Sequence, residues 1–177
     1  FEKIIKNLEV DIDTSIYIAI PKVNDIIIQF LPFKNAKFIE VGYTNYVVDS
    51  ILNAINKINE KYISIIPITT IPDNILVGQN ICYFGKNLIP KENWSSLDKS
   101  DKKNIKFLYK NDLSSFGKNS YPCTGRIFGE KIHLKNSINI IPNDKKDDIL
   151  SLVEILIKEY KYKICYEKWF DIGHEAT

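Results

Sequence analysis

The sequence lacks several features that would indicate a membrane protein or a nucleic-acid-binding protein. It has no run of about 18 apolar residues, which a membrane-spanning helix requires, and no N-terminal signal-peptide pattern. The net charge is only +2 over 177 residues, which is too small for a polyanion-binding surface. We therefore expect no nucleic-acid partner and no membrane partner, and we predict a cytoplasmic chain.

Cysteine is also scarce. Cys82, Cys123 and Cys165 are too far apart for a zinc site and too few for a disulfide framework. We predict that they are small buried side chains in a reducing compartment. The alternative, a nucleophilic cysteine, stays open, and His133 or His174 would then have to act as its base.

The chain contains no Met and starts at Phe1, so we expect that a segment precedes it. Hydrophobic residues make up 45% of the sequence, which is enough to build a core, and the length is typical of one domain. We find no internal repeat and no linker. The prediction is a single domain over residues 1–177 that lacks its N-terminal segment.

Helical periodicity alternates with short apolar runs in the first 66 residues. The predicted elements are, in order, a helix within 1–10, a strand at 15–20, a helix at 22–31, a strand at 36–41, a helix from Asn45 or Asp49 to residue 58, and a strand at 62–66. Strands that are separated by helices in this way predict right-handed crossovers and a mainly parallel sheet.

The second half has shorter elements and more turns. The predictions here are a strand at 80–85, a polar excursion at 91–103, a strand at 105–109, a loop at 111–122, strand character around Ile127 and Phe128, a helix at about 145–160 capped by Asn143 or Asp144, and a final strand and turn within 162–177. The fold class predicted is α/β, with a mainly parallel but mixed sheet flanked by helices.

Ligands of open parallel sheets bind beyond the carboxyl ends of the strands. The residues that follow the predicted strands are Pro21 and Lys22, Gly42 to Asn45, Pro67 to Thr70, and Asp171 to His174. Asp171 follows aromatic residues and precedes a glycine, where a carboxylate can reach a hard cation. The structural alternatives are a turn at Gly42, a strand end at Thr69 and Thr70, and a cap or turn at Asp171.

The last of these segments, WFDIGHEAT (169–177), resembles the W-x-D-I/F-G-H/T-x-x-T/S-Y motif of sugar-phosphate nucleotidyltransferases. The form with His is similar to a branch found in bacterial capsule and surface-polysaccharide clusters. The weaker matches are FEKIIKNLE with the first helix, IYIAIP with the next strand, SILNAINKI with the helix after the base-contacting segment, and KYISIIPITTIPDN with the strand before the acidic metal-binding turn. The resemblance covers nearly the whole chain in the correct order, and it implies a Rossmann-like or GT-A-like nucleotidyltransferase domain.

The resemblance also implies roles for individual residues. Asp171 matches the second metal-binding aspartate of the family, which implies Mg²⁺ as the cofactor. Thr44 lies near the segment that contacts the nucleobase, and Gly125 matches a glycine near the sugar-phosphate pocket. Arg126, the sole arginine, has a planar fork that suits a phosphate or carboxylate; its alternative role is a surface or structural ion pair.

The chain departs from the family pattern at several points. The glycine-rich loop that would hold the triphosphate is absent, and residues 45–50 contain no glycine. The first metal-binding aspartate of the family falls around Thr69, so we assign Asp73 as its candidate replacement. Thr69 and Thr70 are retained as candidate substrate contacts.

The function that the resemblance implies is transfer of a nucleotidyl group from a nucleoside triphosphate to a sugar phosphate or a similar phosphorylated building block for surface polysaccharide. One alternative is a non-catalytic binding or scaffold relative of the same fold, which Thr69 favours. Another is a GT-A-type glycosyltransferase, for which Asp11-Ile12-Asp13 has the spelling of a metal motif. The sequence specifies neither the nucleotide, nor the acceptor, nor the oligomeric state.

Overall fold

The computed structural model describes residues 15–22, 36–67, 70–72, 80–86, 94–99, 104–110 and 120–171. The strands in these ranges are β1 (Ile16–Ile20), β2 (Ala36–Glu40), β3 (Tyr62–Ile65), β4 (Thr70–Pro72), β5 (Ile81–Gly85), β6 (Ser96–Asp98), β7 (Lys106–Leu108), β8 (Ser120–Glu130), β9 (Lys163–Glu167) and β10 (Trp169–Asp171). The helices in these ranges are α1 (Val47–Asn56), α2 (Lys131–Asn139) and α3 (Ile149–Tyr160).

Strand β8 is the centre of a six-stranded sheet. Strand β5 pairs antiparallel with one edge of β8, while β6 and β3 pair antiparallel with the start and the end of its other edge. Strand β9 lies parallel to β5, and β7 lies antiparallel to β6. Eleven residues of β8 therefore organise most of the described sheet.

Two pairs of strands form smaller sheets beside this one. Strands β1 and β2 are parallel, and β4 and β10 are antiparallel, with Asp171 opposite Thr70. The predicted mixed sheet is thus confirmed. The predicted predominance of parallel pairing is not found among the described pairs, of which five are antiparallel and two are parallel. A parallel pair needs a long crossover connection. Such long connections join β1 to β2 and, through α2 and α3, β5 to β9.

The helices form because each has an apolar face to bury. Helix α1 buries Val48 and Ile55, which lie seven residues apart on the same face. Helix α3 starts after Asp148, whose side chain accepts a hydrogen bond from the Leu150 N–H at 2.9 Å. Helix α3 ends at Lys161, which has a positive φ of 57°.

Several predicted boundaries change in the structure. Residues 131–139, for which the sequence predicted no helix, form α2, and the polar excursion contains β6. The start of α3 moves to residue 149, because Asn143–Lys145 forms a separate 3-10 turn. The predicted helices within 1–10 and from residue 23 to 31 lie outside the described residues.

Helices α2 and α3 pack together and cover one face of β8. The core between them includes Ile127, Leu134, Leu150, Leu152 and Leu156, all fully buried. In the part of the chain that the structure describes, we find no helix long and apolar enough to span a bilayer.

The capping role of Asp148 can be tested by substitution. Besides capping α3, the Asp148 carboxylate accepts a hydrogen bond from the Ser95 hydroxyl. We expect Asp148→Ala to lower the free energy of unfolding by about 0.5–2 kcal/mol, because the helix loses its N-cap. Asp147→Ala removes the same charge from an exposed neighbour and is the control. Urea unfolding measures both variants, and equal midpoints would contradict the capping role.

Candidate functional site

Three of the predicted site residues come together where the small β4–β10 sheet meets β8. Thr70 begins β4 and lies opposite Asp171, the last residue of β10. The Thr70 hydroxyl donates a hydrogen bond to the Thr124 carbonyl of β8 at 3.2 Å. Gly125 follows directly, so a chain of backbone and hydroxyl contacts joins Asp171, Thr70 and Gly125. We call this junction the β4–β8–β10 edge.

Gly125 is required at this edge for two reasons. Its φ is +71°, in the left-handed region that side chains disfavour. A Cβ at this position would also lie 2.8 Å from Cγ of Pro67 and 3.5 Å from Cδ1 of Ile149. The backbone of β8 therefore passes close to Pro67, the residue that ends the described segment after β3.

Arg126 is buried in an ion pair, the alternative that the sequence left open. Its Nη1 lies 2.5 Å from Oε2 of Glu167, and the exposed fractions of the two side chains are 1% and 9%. The guanidinium carbon lies 4.1 Å from the centre of the Tyr83 ring, a distance typical of a cation–π contact. Burial raises the pKa of Tyr83, and the Arg126 cation opposes that rise. The predicted phosphate contact of Arg126 stays a prediction.

Glu167 and Thr124 complete this buried polar group, and the sequence analysis identified neither. The Thr124 hydroxyl donates to the Tyr83 carbonyl at 3.0 Å and lies 3.5 Å from Oε1 of Glu167. The sole arginine could have indicated this group, because a guanidinium that becomes buried needs a carboxylate partner. That partner lies 41 residues further along the chain, so local spacing could not identify it.

Thr44 lies in a different place, between β2 and α1. Its hydroxyl contacts the Ser50 hydroxyl and donates to the Tyr46 carbonyl at 3.1 Å. An open polar groove of about 400 Å³ lies nearby on the same segment. The groove is lined by Glu40, Val41, Gly42, Asn53, Asn56 and Lys57. Because both described partners of Thr44 belong to its own segment and to α1, no described hydrogen bond joins it to the β4–β8–β10 edge.

The remaining predicted site residues fall outside the described ranges. Thr69 and Asp73 do so, as do His174 and the Asp11–Asp13 motif. For Asp171 the structure describes the backbone position in β10. Within the described ranges, no group of three or more His, Cys, Asp or Glu side chains is arranged to hold a metal ion.

The cysteines Cys82 and Cys123 are buried, as predicted, whereas Cys165, which was predicted to be buried with them, is only partly buried. Burial raises the pKa of the Cys123 thiol to about 12 and that of Cys82 well above its usual range. Both therefore stay protonated at neutral pH, and a protonated thiol is a poor nucleophile. His133 stacks on the Tyr160 ring with the ring centres 4.3 Å apart, which gives it a packing role.

Comparison with solved structures identifies the fold. One neighbour is a Bacillus anthracis protein, described as a glucose-1-phosphate thymidylyltransferase in complex with a sucrose. The match has a TM-score of 0.69 at 14% sequence identity and covers 98% of this chain and 75% of that one. The described mixed sheet and its three helices therefore have the same Rossmann-like α/β fold as that structure. No protein-family model and no curated protein matches the sequence.

The close approach at Gly125 can be tested against a second glycine with a similar backbone. Gly42 has a φ of +75°, but a Cβ there would meet nothing within 4 Å. Each Gly→Ala substitution should cost about 1 kcal/mol or more for the left-handed backbone. Gly125→Ala should cost a further ~1–3 kcal/mol because it overpacks against Pro67. Chemical denaturation of both variants measures the difference, and equal losses would argue against the steric constraint.

Proposed function

We propose that this chain is a nucleotidyltransferase-like domain. It would transfer a nucleotidyl group from a nucleoside triphosphate to a sugar phosphate or a similar phosphorylated building block for capsule or surface polysaccharide. The observation that carries the proposal is the β4–β8–β10 edge, where Asp171, Thr70 and Gly125 meet on a fold of the nucleotidyltransferase type. The name of the Bacillus anthracis neighbour supports the same classes of substrate.

The chemistry explains why a carboxylate suits this reaction. A phosphate oxygen attacks the α-phosphorus of the triphosphate in line, and pyrophosphate leaves. Several negative charges converge during the attack, so catalysis consists mainly of positioning and charge stabilisation. A carboxylate at this edge could hold the cation that offsets these charges.

Magnesium is the cofactor that such a reaction implies. The described residues do not form an all-protein metal cage, but Mg²⁺ commonly binds to one or two carboxylates and takes its other ligands from water and substrate phosphates. The position of Asp171 at the end of β10 fits that pattern. In the proposal, Asp171 and Asp73 hold the ion, which would offset the charge of the phosphates.

The other predicted residues either hold the edge or contact substrate in this proposal. Thr70 and Gly125 are buried, so in the proposal they hold the β4–β8–β10 edge in place, and Thr69 would contact the phosphorylated acceptor. Thr44 would contact the nucleotide from the segment after β2. Since nucleoside triphosphates are cytoplasmic metabolites, we propose that the protein acts in the cytoplasm.

A non-catalytic relative of the same fold is the second candidate. The presence of Thr69 near the place of an expected metal-binding aspartate favours it. Such a protein would keep the core and the binding edge but would release no pyrophosphate. A glycosyltransferase of related fold would instead bind a sugar nucleotide and transfer its sugar, and this reaction releases no pyrophosphate.

Ligand titration of the full-length protein tests the proposal. Isothermal calorimetry and thermal unfolding are run with each nucleoside triphosphate, with and without Mg²⁺. A ligand at about 100 times its dissociation constant should stabilise the fold by about 2.7 kcal/mol. Pyrophosphate release with a sugar phosphate then separates an enzyme from a binding relative. If no nucleotide shifts the unfolding temperature, the proposed function is rejected.

The role of Asp171 is tested by removing its charge. We expect Asp171→Asn to weaken Mg²⁺-dependent nucleotide binding at least tenfold, which corresponds to about 1.4 kcal/mol, because an amide is a poorer ligand for a hard cation than a carboxylate. Binding without Mg²⁺ and the unfolding temperature should change little. Asp144→Asn, at an exposed site before α3, is the matched control. Unchanged binding in Asp171→Asn would show that this carboxylate is not a metal ligand.

A further inference from the structure

The chain leaves the main sheet just before β10, the strand that carries Asp171. Strand β9 belongs to the six-stranded sheet and ends at Glu167, while β10 starts at Trp169 and pairs with β4 in a separate sheet. Only Lys168 lies between them. The direction in which the chain leaves Glu167 therefore decides where Asp171 is placed, four residues after Glu167.

Two side-chain contacts to β8 fall on either side of Gly125, one from the small sheet and one from the last residue of β9. On one side, the Thr70 hydroxyl of β4 binds the Thr124 carbonyl at 3.2 Å. On the other, the Glu167 carboxylate binds Arg126 at 2.5 Å. The Glu167 backbone is held as well, since its carbonyl accepts the Lys86 N–H at 2.8 Å.

The buried Arg126–Glu167 ion pair is better explained by the geometry that it fixes than by the stability that it adds. A buried ion pair often stabilises a protein no more than apolar side chains of similar volume would, because both charges lose their hydration. The Arg126 Nε is also buried without a hydrogen-bond partner among the described residues, which adds to that cost. A directional contact between two charged groups does, however, fix geometry.

We propose that Glu167 is a positioning residue, which acts through Arg126 to fix the exit of β10 from the main sheet and thereby holds Asp171 opposite Thr70 beside Gly125. Glu167 touches no reacting group in this role. The inference rests on the proposed function for its purpose, since a metal-binding carboxylate needs a fixed position. The effect of Glu167 on the positions of β4 and β10 can be measured without any ligand.

The experiment compares three variants of the full chain with the wild type. Glu167→Gln removes the charge but keeps the shape of the side chain. The double variant Arg126→Met/Glu167→Leu replaces the pair with apolar groups, which should restore most of the stability. Leu134→Ala, in the fully buried core of α2, is a destabilised control that leaves the ion pair intact.

The first measurement is amide hydrogen exchange at Thr70, Ile71 and residues 169–171, with the β3–β8 amides as the internal reference. We expect exchange at β4 and β10 to be at least tenfold faster in Glu167→Gln and in the double variant than in the wild type. The control Leu134→Ala should show no such selective change. If β4 and β10 are as protected in both ion-pair variants as in the control, the positioning role is overturned.

The second measurement is Mg²⁺-dependent nucleotide binding under conditions where all variants are folded. We expect at least tenfold weaker binding in both ion-pair variants, including the double variant with near wild-type unfolding temperature. Weakened exchange protection with unchanged binding would overturn the claim that Glu167 positions the metal-binding carboxylate. A wild type that binds no nucleotide would reject the proposed function, and hydrogen exchange would still decide whether Glu167 positions β10.

Discussion

The pairing of β8 on both of its edges is the constraint on which most of the described fold depends. Strand β5 pairs with one edge, and β6 and β3 share the other. Neither edge can shift without breaking a ladder on the opposite side, so the register of β8 is strongly fixed. This rigidity matters for Gly125, because a shift in register would move this left-handed glycine away from its close approach to Pro67.

The residues of β8 around Gly125 lie in two environments. Gly125 and Ile127 face the helices, where Ile149 and the buried core lie. Thr124 and Arg126, the neighbours of this glycine on either side, both contact Glu167 of β9. One environment thus supplies hydrophobic stabilisation and the other supplies directional polar contacts. The candidate site lies at Gly125, between the hydrophobic packing and the polar contacts.

The sequence predicted those parts of the fold that depend on local periodicity. Strands β1, β2 and β3 and helix α1 lie within a few residues of their predicted ranges, because each has a clear apolar pattern. Helix α2 was missed, since its buried residues include the polar Ser137. Gly125 and Asp171 could be singled out by resemblance, but their proximity could not be predicted. Their proximity depends on the β4–β10 register and on two long-range contacts. Arg126 and Glu167 are 41 positions apart in the sequence, and Thr70 and Thr124 are 54 positions apart.

The neutrality of the Arg126–Glu167 pair bears on the chemistry proposed for the neighbouring edge. An unpaired buried cation there would attract the phosphates of a substrate, but it would also repel a divalent metal ion. An ion pair with no net charge neither attracts the phosphates nor repels the metal ion at long range. It can therefore lie near the site without disturbing the binding of either. In the proposed reaction the positive charge would then come from Mg²⁺ at Asp171, while the ion pair contributes position. The sole arginine of the chain would thus serve the site through geometry, and the charge that the phosphates require would come from the metal ion.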